Sequence, residues 1–321
     1  MKFIPVKAVF NFILLRLSYQ ISLLLKRPVI LARPFAMSIE TFSGCNLRCP
    51  QCPTGQGIIK RSRNSMSREL FEKISREISG STFYIQLFFQ GEPLLDRQIC
   101  ERISTLAKKG KWVVLSTNAQ TIDETYATDI VRSGLHKIII SLDGLSQENY
   151  AAYRYGGNVE KTLQAIHYLS ESKKNCRSRY PIIEVQTVVT RANENELSSI
   201  KKTALQNGAD KMVFKSMQIY NQESMEYYIP KNPRYSRYQY SGGKWELRYK
   251  KNRACFRIFS TIVCSSDGKI ASCCYDKSIA FELGNINENS ISEIWRSDNF
   301  QQFRKRILSG NFPGICGNCI E

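Results

Sequence analysis

The chain has 321 residues, 42% hydrophobic and 23% charged, a globular balance with core enough for a barrel-sized domain and a smaller companion. Its 11 cysteines, an odd number in a chain too long to need stapling, argue against a secreted disulfide scaffold and for clustered, reduced thiols. Two histidines, His136 and His167, leave little for a His-rich zinc hydrolase, and the pattern excludes a polytopic membrane protein.

The net charge of +18 is unevenly spread. Residues 1–39 carry Lys2, Lys7, Arg16, Lys26, Arg27 and Arg33 and no acid; residues 227–257 carry nine cations against Glu246. The first stretch is not a signal peptide, because Asn11, Arg16 and Gln20 interrupt its apolar run, which for the same reason makes a poor transmembrane span. On a helical wheel Lys7, Asn11, Ser18, Ser22 and Lys26 share one face, and Phe10, Ile13, Leu14, Leu17, Ile21, Leu24 and Leu25 cover much of the rest. Such a helix suits either the plane of a membrane surface, through residues 3–27, or the flank of its own domain. The expected location is cytoplasmic, peripheral at the inner membrane surface.

From residue 38 strand and helix patterns alternate. Strands are expected over Met37–Phe42, Phe83–Phe89, Lys111–Ser116, Lys137–Leu142, Ile182–Thr190 and Lys211–Ser216. The helices between them are expected over Ser67–Ile78, Gln98–Lys109, from a Thr121/Glu124 capping box to Gly134, Val159–Glu171 and Glu194–Asn207. Consecutive βα units with right-handed crossovers make an α/β fold, a partial (βα)6 parallel barrel whose reactive groups lie at the C-terminal strand ends. The chain divides into an amphipathic arm (1–37), the barrel (38–217), a linker or flap (218–254) and a small Cys-rich domain (255–321).

After the first strand comes Cys45-x3-Cys49-x2-Cys52. Three thiolates on one loop leave one iron of a [4Fe–4S] cluster open, although a three-cysteine string also suits zinc. The spacing resembles the radical S-adenosylmethionine (SAM) superfamily, with Gln51 where that family usually carries an aromatic. The resemblance extends to the other strand ends. Gln90-Gly91-Glu92-Pro93 is similar to the family's Gly-Gly-Glu-Pro segment, which engages the methionine amine of SAM. Ser116 and Asn118 stand where relatives contact the ribose. Ser141 and Arg154 stand where relatives hold the SAM carboxylate, and Asp143 lies in the same segment. Val188–Asn193, with Val189, matches the adenine-packing edge.

A second set, Cys255, Cys273, Cys316 and Cys319, resembles the SPASM/Twitch branch, as in the aminocyclitol dehydrogenase and sulfatase-maturase groups, and implies one auxiliary [4Fe–4S] cluster. A four-cysteine zinc ribbon fits the same thiols. Gly268-x4-Cys273 favours Cys273 over the adjacent Cys274; Cys264 is spare, and Cys100 and Cys176 read as small hydrophobes.

The resemblance implies two [4Fe–4S] clusters, SAM, and an electron donor such as flavodoxin or ferredoxin. The expected activity is a radical SAM oxidoreductase acting on a carbohydrate, cyclitol or lipid-linked small molecule, with the auxiliary cluster accepting the second electron. The alternatives are a SPASM-type peptide or protein maturase, and an RNA-modifying or nucleic-acid-binding protein suggested by the basic, Tyr-rich stretch 227–257. A nucleic-acid partner is the weaker expectation, because the charge is not spread along a groove. No catalytic base can be assigned; Tyr84, Gln86, Arg234, Tyr238 and Tyr240 are pocket or flap candidates.

Overall fold

The computed structural model describes residues 4–59, 61–220, 222–249 and 254–319; Lys2, Lys250, Lys251 and Arg253 of the basic stretches lie outside them. After α1 (Val6–Leu25), strands and helices alternate as β1 (Ala36–Ile39), α2 (Arg68–Glu77), β2 (Tyr84–Gln86), α3 (Ile99–Lys108), β3 (Trp112–Thr117) and α4 (Glu124–Arg132). The alternation continues through β4 (Lys137–Ser141), α5 (Gln147–Tyr153), α6 (Val159–Asn175), β5 (Ile182–Val189), α7 (Leu197–Gln206) and β6 (Lys211–Ser216). Strands such as β4, with Ile138, Ile139 and Ile140 all buried, are apolar on both faces because helices cover the outside and neighbouring side chains fill the inside.

Strands β1 to β6 pair in parallel and in chain order, as the βα pattern predicts. The expected strands run one to three residues long at their ends, because several of those residues belong to the loops that shape the site. One helix was not expected, α5, which Ser146 caps by accepting from Asn149 N–H. The Thr121/Glu124 capping box does not form; Asp123 takes the N-cap and accepts from Tyr126 N–H, carrying its negative charge at the helix start.

Beyond β6 lie α8 (Met225–Tyr228), β7 (Tyr238–Ser241) and β8 (Lys244–Leu247). The stretch expected to be irregular therefore contains a hairpin, closed by Gly242 and Gly243 at positive φ (56° and 78°), the backbone that a two-residue hairpin turn requires. It is tied down by Tyr238, whose buried hydroxyl donates to Asn318 Oδ1 at 2.5 Å and accepts from Ile219 N–H at 2.9 Å.

The C-terminal part comprises α9 (Arg257–Ser260), β9 (Thr261–Cys264), β10 (Lys269–Ala271), β11 (Glu282–Asn285), α10 (Ile291–Arg296) and α11 (Asp298–Leu308). It does not make a separate sheet. β9 pairs in parallel with β1, Met37 opposite Ile262, so nine strands run β11-β10-β9-β1-β2-β3-β4-β5-β6 among the described residues.

Helix α1 packs on the fold through Ala8, Leu15 and Tyr19 together with three polar side chains. Asn11, Ser18 and Ser22 face inward and bond the backbone of residues 29–33, Ser18 Oγ accepting from Leu31 N–H at 3.0 Å and Asn11 Oδ1 from Arg33 N–H at 3.0 Å. Phe10, Ile13, Leu17 and Leu24 point outward, Leu24 82% exposed. By length and composition alone the helix is long and apolar enough to cross a membrane, although Asn11, Arg16 and Gln20 interrupt its apolar run. Its three inward polar groups nonetheless hold it against its own chain.

One buried carboxylate joins four segments. Glu40, just beyond β1, receives the guanidinium of Arg61, Gln90 N–H at 3.2 Å and Ser266 N–H at 3.2 Å. Glu40→Gln leaves Arg61 charged and unpaired, and is expected to lower stability by about 2–3 kcal/mol in a denaturant melt. Unchanged stability would show that the four segments hold without it.

Candidate active site

The loop after β1 folds so that Cys45, Cys49 and Cys52 face one pocket of about 630 Å³ at the C-terminal end of the barrel. Arg48 N–H donates to Tyr155 O at 3.0 Å and Cys52 N–H to Cys49 O at 3.1 Å, closing the loop on itself and on the turn after α5. Gly91 makes the other contact possible. A Cβ there would stand 1.9 Å from Phe42 O, so only glycine lets the turn after β2 touch the cysteine loop, where Glu92 N–H donates to Gly44 O at 2.7 Å.

Gln90, Gly91, Glu92, Ser116, Asn118, Ser141 and Arg154 line this pocket with the three thiols. Pro93, Asp143 and Val189 do not. Pro93 starts a 3-10 turn; Val189 is buried behind Val188, which takes the pocket-facing position. Asp143 acts one layer back: its carboxylate accepts from Arg154 Nε at 2.5 Å and Val188 N–H at 2.6 Å, fixing the guanidinium to the end of β5. Glu92 is fully buried, and its carboxylate accepts from Leu94 N–H, Thr117 Oγ1 and Asn118 N–H at 2.7–3.1 Å. Asn118 donates from Nδ2 to Asn46 Oδ1 at 2.8 Å, steadying the cysteine loop.

Burial sets the charges here. It pushes the Cys45 thiol up to about 11, despite Leu47 N–H on the sulfur, and raises Cys49, against which Arg154 pulls from 4.0 Å. Burial also raises the Glu92 carboxyl, its three donors opposing. For Arg154 burial disfavours the cation, but Asp143 and Cys49 outweigh it and hold the guanidinium above its ordinary value.

A second, small and largely apolar cavity is lined by Cys255, Cys273, Cys316 and Cys319 with Ile258, Phe303 and Ile307. Cys274 is not among its lining; Arg257 Nη1 lies 3.4 Å from that sulfur. Burial pushes Cys273 up to about 12. Cys264 is buried at the end of β9, away from both cavities, its thiol donating to Ser265 O at 3.3 Å. Tyr275 borders both cavities.

Sequence reasoning missed the far side of the first pocket, formed by Gln186, Lys215, Ser216, Gln218, Arg237, Tyr275 and Lys277. None of the five pocket or flap candidates is there. Tyr84 and Gln86 border a different cavity with Arg16 and Cys255, Tyr238 is buried under the hairpin, and Arg234 and Tyr240 are exposed. Nothing in the local sequence marks Lys277, which burial holds below its ordinary pKa although the neighbouring Cys52 and Cys274 sulfurs favour its charge.

A parallel half-barrel with three thiols on the first loop and four more at a C-terminal extension defines a class: enzymes that hold iron–sulfur clusters at a barrel mouth. Residues 39–193 match the Radical SAM superfamily, and residues 255–320 match SPASM, an iron-sulfur cluster-binding domain. The chain belongs to the radical SAM superfamily and carries the SPASM extension. These domains imply [4Fe–4S] clusters and SAM as cofactors. The chain is 23% identical to the tungsten-containing aldehyde ferredoxin oxidoreductase cofactor-modifying protein of Pyrococcus furiosus, covering 88% of this chain and 86% of that one. Its fold is similar to that of BtrN in complex with AdoMet and 2-DOIA (TM-score 0.56, 18% identity, 90% of this chain and 93% of that one). It is also similar to Streptococcus suis SuiB bound to precursor peptide SuiA (TM-score 0.63, 15% identity, 85% and 67%).

Gly91→Ala is expected to push the turn off the cysteine loop and at least halve the iron retained after anaerobic reconstitution, by roughly the disruption an over-packed contact brings. Gly80→Ala, where a Cβ meets only Lys7 Cδ at 4.0 Å, should retain it all. Full iron in both would show that the close approach is not needed.

Proposed function

We propose that this chain oxidises a small molecule, a carbohydrate, cyclitol or lipid-linked head group, by hydrogen abstraction, with an auxiliary centre receiving the second electron. Cys45, Cys49 and Cys52 would hold the SAM-binding cluster; Cys255, Cys273, Cys316 and Cys319 would hold the auxiliary one. The donor sets fit, since three soft thiolates leave one iron of a cubane open and four close it. Bound there, the reduced cluster and SAM supply a 5′-deoxyadenosyl radical and the auxiliary cluster a one-electron acceptor.

The observation that carries this reading is Tyr275, the side chain common to the two thiol-lined cavities. A substrate in the larger pocket would share Tyr275 as a neighbour with the second thiol set.

The chain's own groups bind, orient and shield. Arg154, steadied by Asp143, would hold the methionine carboxylate with Ser141. The turn Gln90–Pro93 would hold the amine, with Glu92 Oε2 open to one donor beyond Asn118 N–H. Ser116 and Asn118 would face the ribose, and Val188 with Val189 behind it the adenine. Electrons would come from a reduced flavodoxin or ferredoxin.

Helix α1 supports a cytoplasmic enzyme seated on an anionic membrane surface. Its polar side is occupied by the protein, its outer side is apolar, and residues 1–39 carry six cations and no acid. Phe10→Ser/Ile13→Ser/Leu17→Ser is expected to abolish flotation with vesicles containing phosphatidylglycerol. Equal flotation of parent and variant, or none for either, would rule the seat out.

The test of the main reading is iron, zinc and sulfide per chain after anaerobic reconstitution, in the parent and in Cys255→Ala/Cys273→Ala. About eight irons falling to about four is expected. About four irons with one zinc, lost in the variant, would make the C-terminal set structural. Formation of 5′-deoxyadenosine stimulated by peptides and by no carbohydrate, cyclitol or lipid head group would replace the small molecule with a peptide.

A further inference from the structure

Four cations line the large pocket, Arg154, Lys215, Arg237 and Lys277, against one carboxylate, Glu92, which three protein donors already engage. Arg154 is matched by Asp143. The other three have no carboxylate partner among the described residues. They come from distant parts of the chain: Lys215 from the end of β6, opposite Val188; Arg237 from the segment entering β7; Lys277 from the loop after β10. Arg237 is held in place by neutral groups only, donating to Ser216 Oγ at 3.3 Å, Ser216 O at 3.1 Å and Asn318 O at 3.3 Å, so its position is fixed and its charge is not cancelled. The Lys277 ammonium stands 4.7 Å from the centre of the Tyr220 ring, a contact that anchors a cation without neutralising it.

Three cations without a carboxylate partner share one cavity and repel one another, with only the Cys52 and Cys274 sulfurs beside Lys277 to favour its charge. The arrangement becomes favourable when an anion enters. Lys215 is exposed, where a tethered charge also draws an anion toward the mouth. We infer that the substrate carries a phosphoryl or carboxylate anion, seated by Lys215, Arg237 and Lys277 on the side of the pocket formed by β6, the segment entering β7 and the loop after β10. This rests on the reading of that pocket as the place where a small molecule is oxidised. It narrows the substrate to an acidic or phosphorylated compound and sets aside a neutral sugar or an amino-bearing cyclitol without an acidic group. Arg237 ties the seat to β6 and the C-terminal turn at once.

The test is calorimetric titration of the anaerobically reconstituted holoprotein with inorganic pyrophosphate, with citrate and with glucose. Lys215→Gln, Arg237→Gln and Lys277→Gln are compared with Lys201→Gln on the outer surface of α7. Pyrophosphate or citrate should bind, glucose should not, and each pocket variant should weaken the anion at least tenfold, about the loss of one charge-assisted hydrogen bond. Lys201→Gln should match the parent. Tighter binding of pyrophosphate names a phosphoryl group, and tighter binding of citrate a carboxylate. No binding of either anion, or equal binding by parent and pocket variants, overturns the inference. So does a shift of the cluster midpoint potentials in the variants with anion binding unchanged, because the cations would then serve the thiolates. Iron content and 5′-deoxyadenosine formation under dithionite are measured on the same samples. If those stand in the parent while the anions fail, only the substrate class falls; if they fail in the parent, the reading of the pocket falls with it.

Discussion

The site hangs on the Glu40 carboxylate. Buried at the exit of β1, it takes Arg61 from the far arm of the cysteine loop, the backbone of Gln90 from the turn after β2, and Ser266 from the C-terminal extension. A carboxylate out of water persists only when its lone pairs are filled, and here each donor comes from a different part of the chain. Stability of the ion and the geometry of the site are therefore the same fact. The loop carrying three thiols, the turn facing it and the domain carrying the other four are brought together by one ion's need for partners.

Around that knot the charges are graded. Next to the cysteine loop, Arg154 is balanced by Asp143, and burial favours the thiol forms of Cys45 and Cys49. Across the pocket the cations stand without acids, and below it the second thiol set lies among Ile258, Phe303 and Ile307. Tyr275 separates the polar chamber from the apolar one, its hydroxyl pushed up to about 12 chiefly by burial, so it stays protonated and neutral across the ordinary pH range.

What the sequence made legible was local. Ile138–Ile140 in β4 reads as a buried strand because three consecutive apolar, β-branched residues permit little else, and Cys45, Cys49 and Cys52 read as one donor set because they fall within eight residues of one loop. Relations across the chain were not legible. Asn11, Ser18 and Ser22 look like a solvent face until residues 29–33 are seen running alongside them without a strand partner, their backbone groups needing those side chains. Asp123 displaced Thr121 as a cap because the helix began two residues later than the Thr-x2-Glu pattern implied. Lys215, Arg237 and Lys277 have no common motif; only the closing of the sheet brings them to one cavity. The neighbours Cys273 and Cys274 could be ranked by spacing, but it is the bend after β10 that turns the first toward Cys316 and the second toward Arg257.

The pairing of β9 with β1 has a consequence for synthesis. Until residues 261–264 leave the ribosome, the outer edge of β1 is an unpaired parallel strand with apolar neighbours, a template for pairing with other chains. Ser266 is absent over the same interval, so the Glu40 knot is incomplete as well. The barrel thus matures from its C-terminal extension backward. A nascent chain stalled in the 218–254 segment would hold all six barrel strands and still lack both the partner of the β1 edge and the Ser266 donor to Glu40.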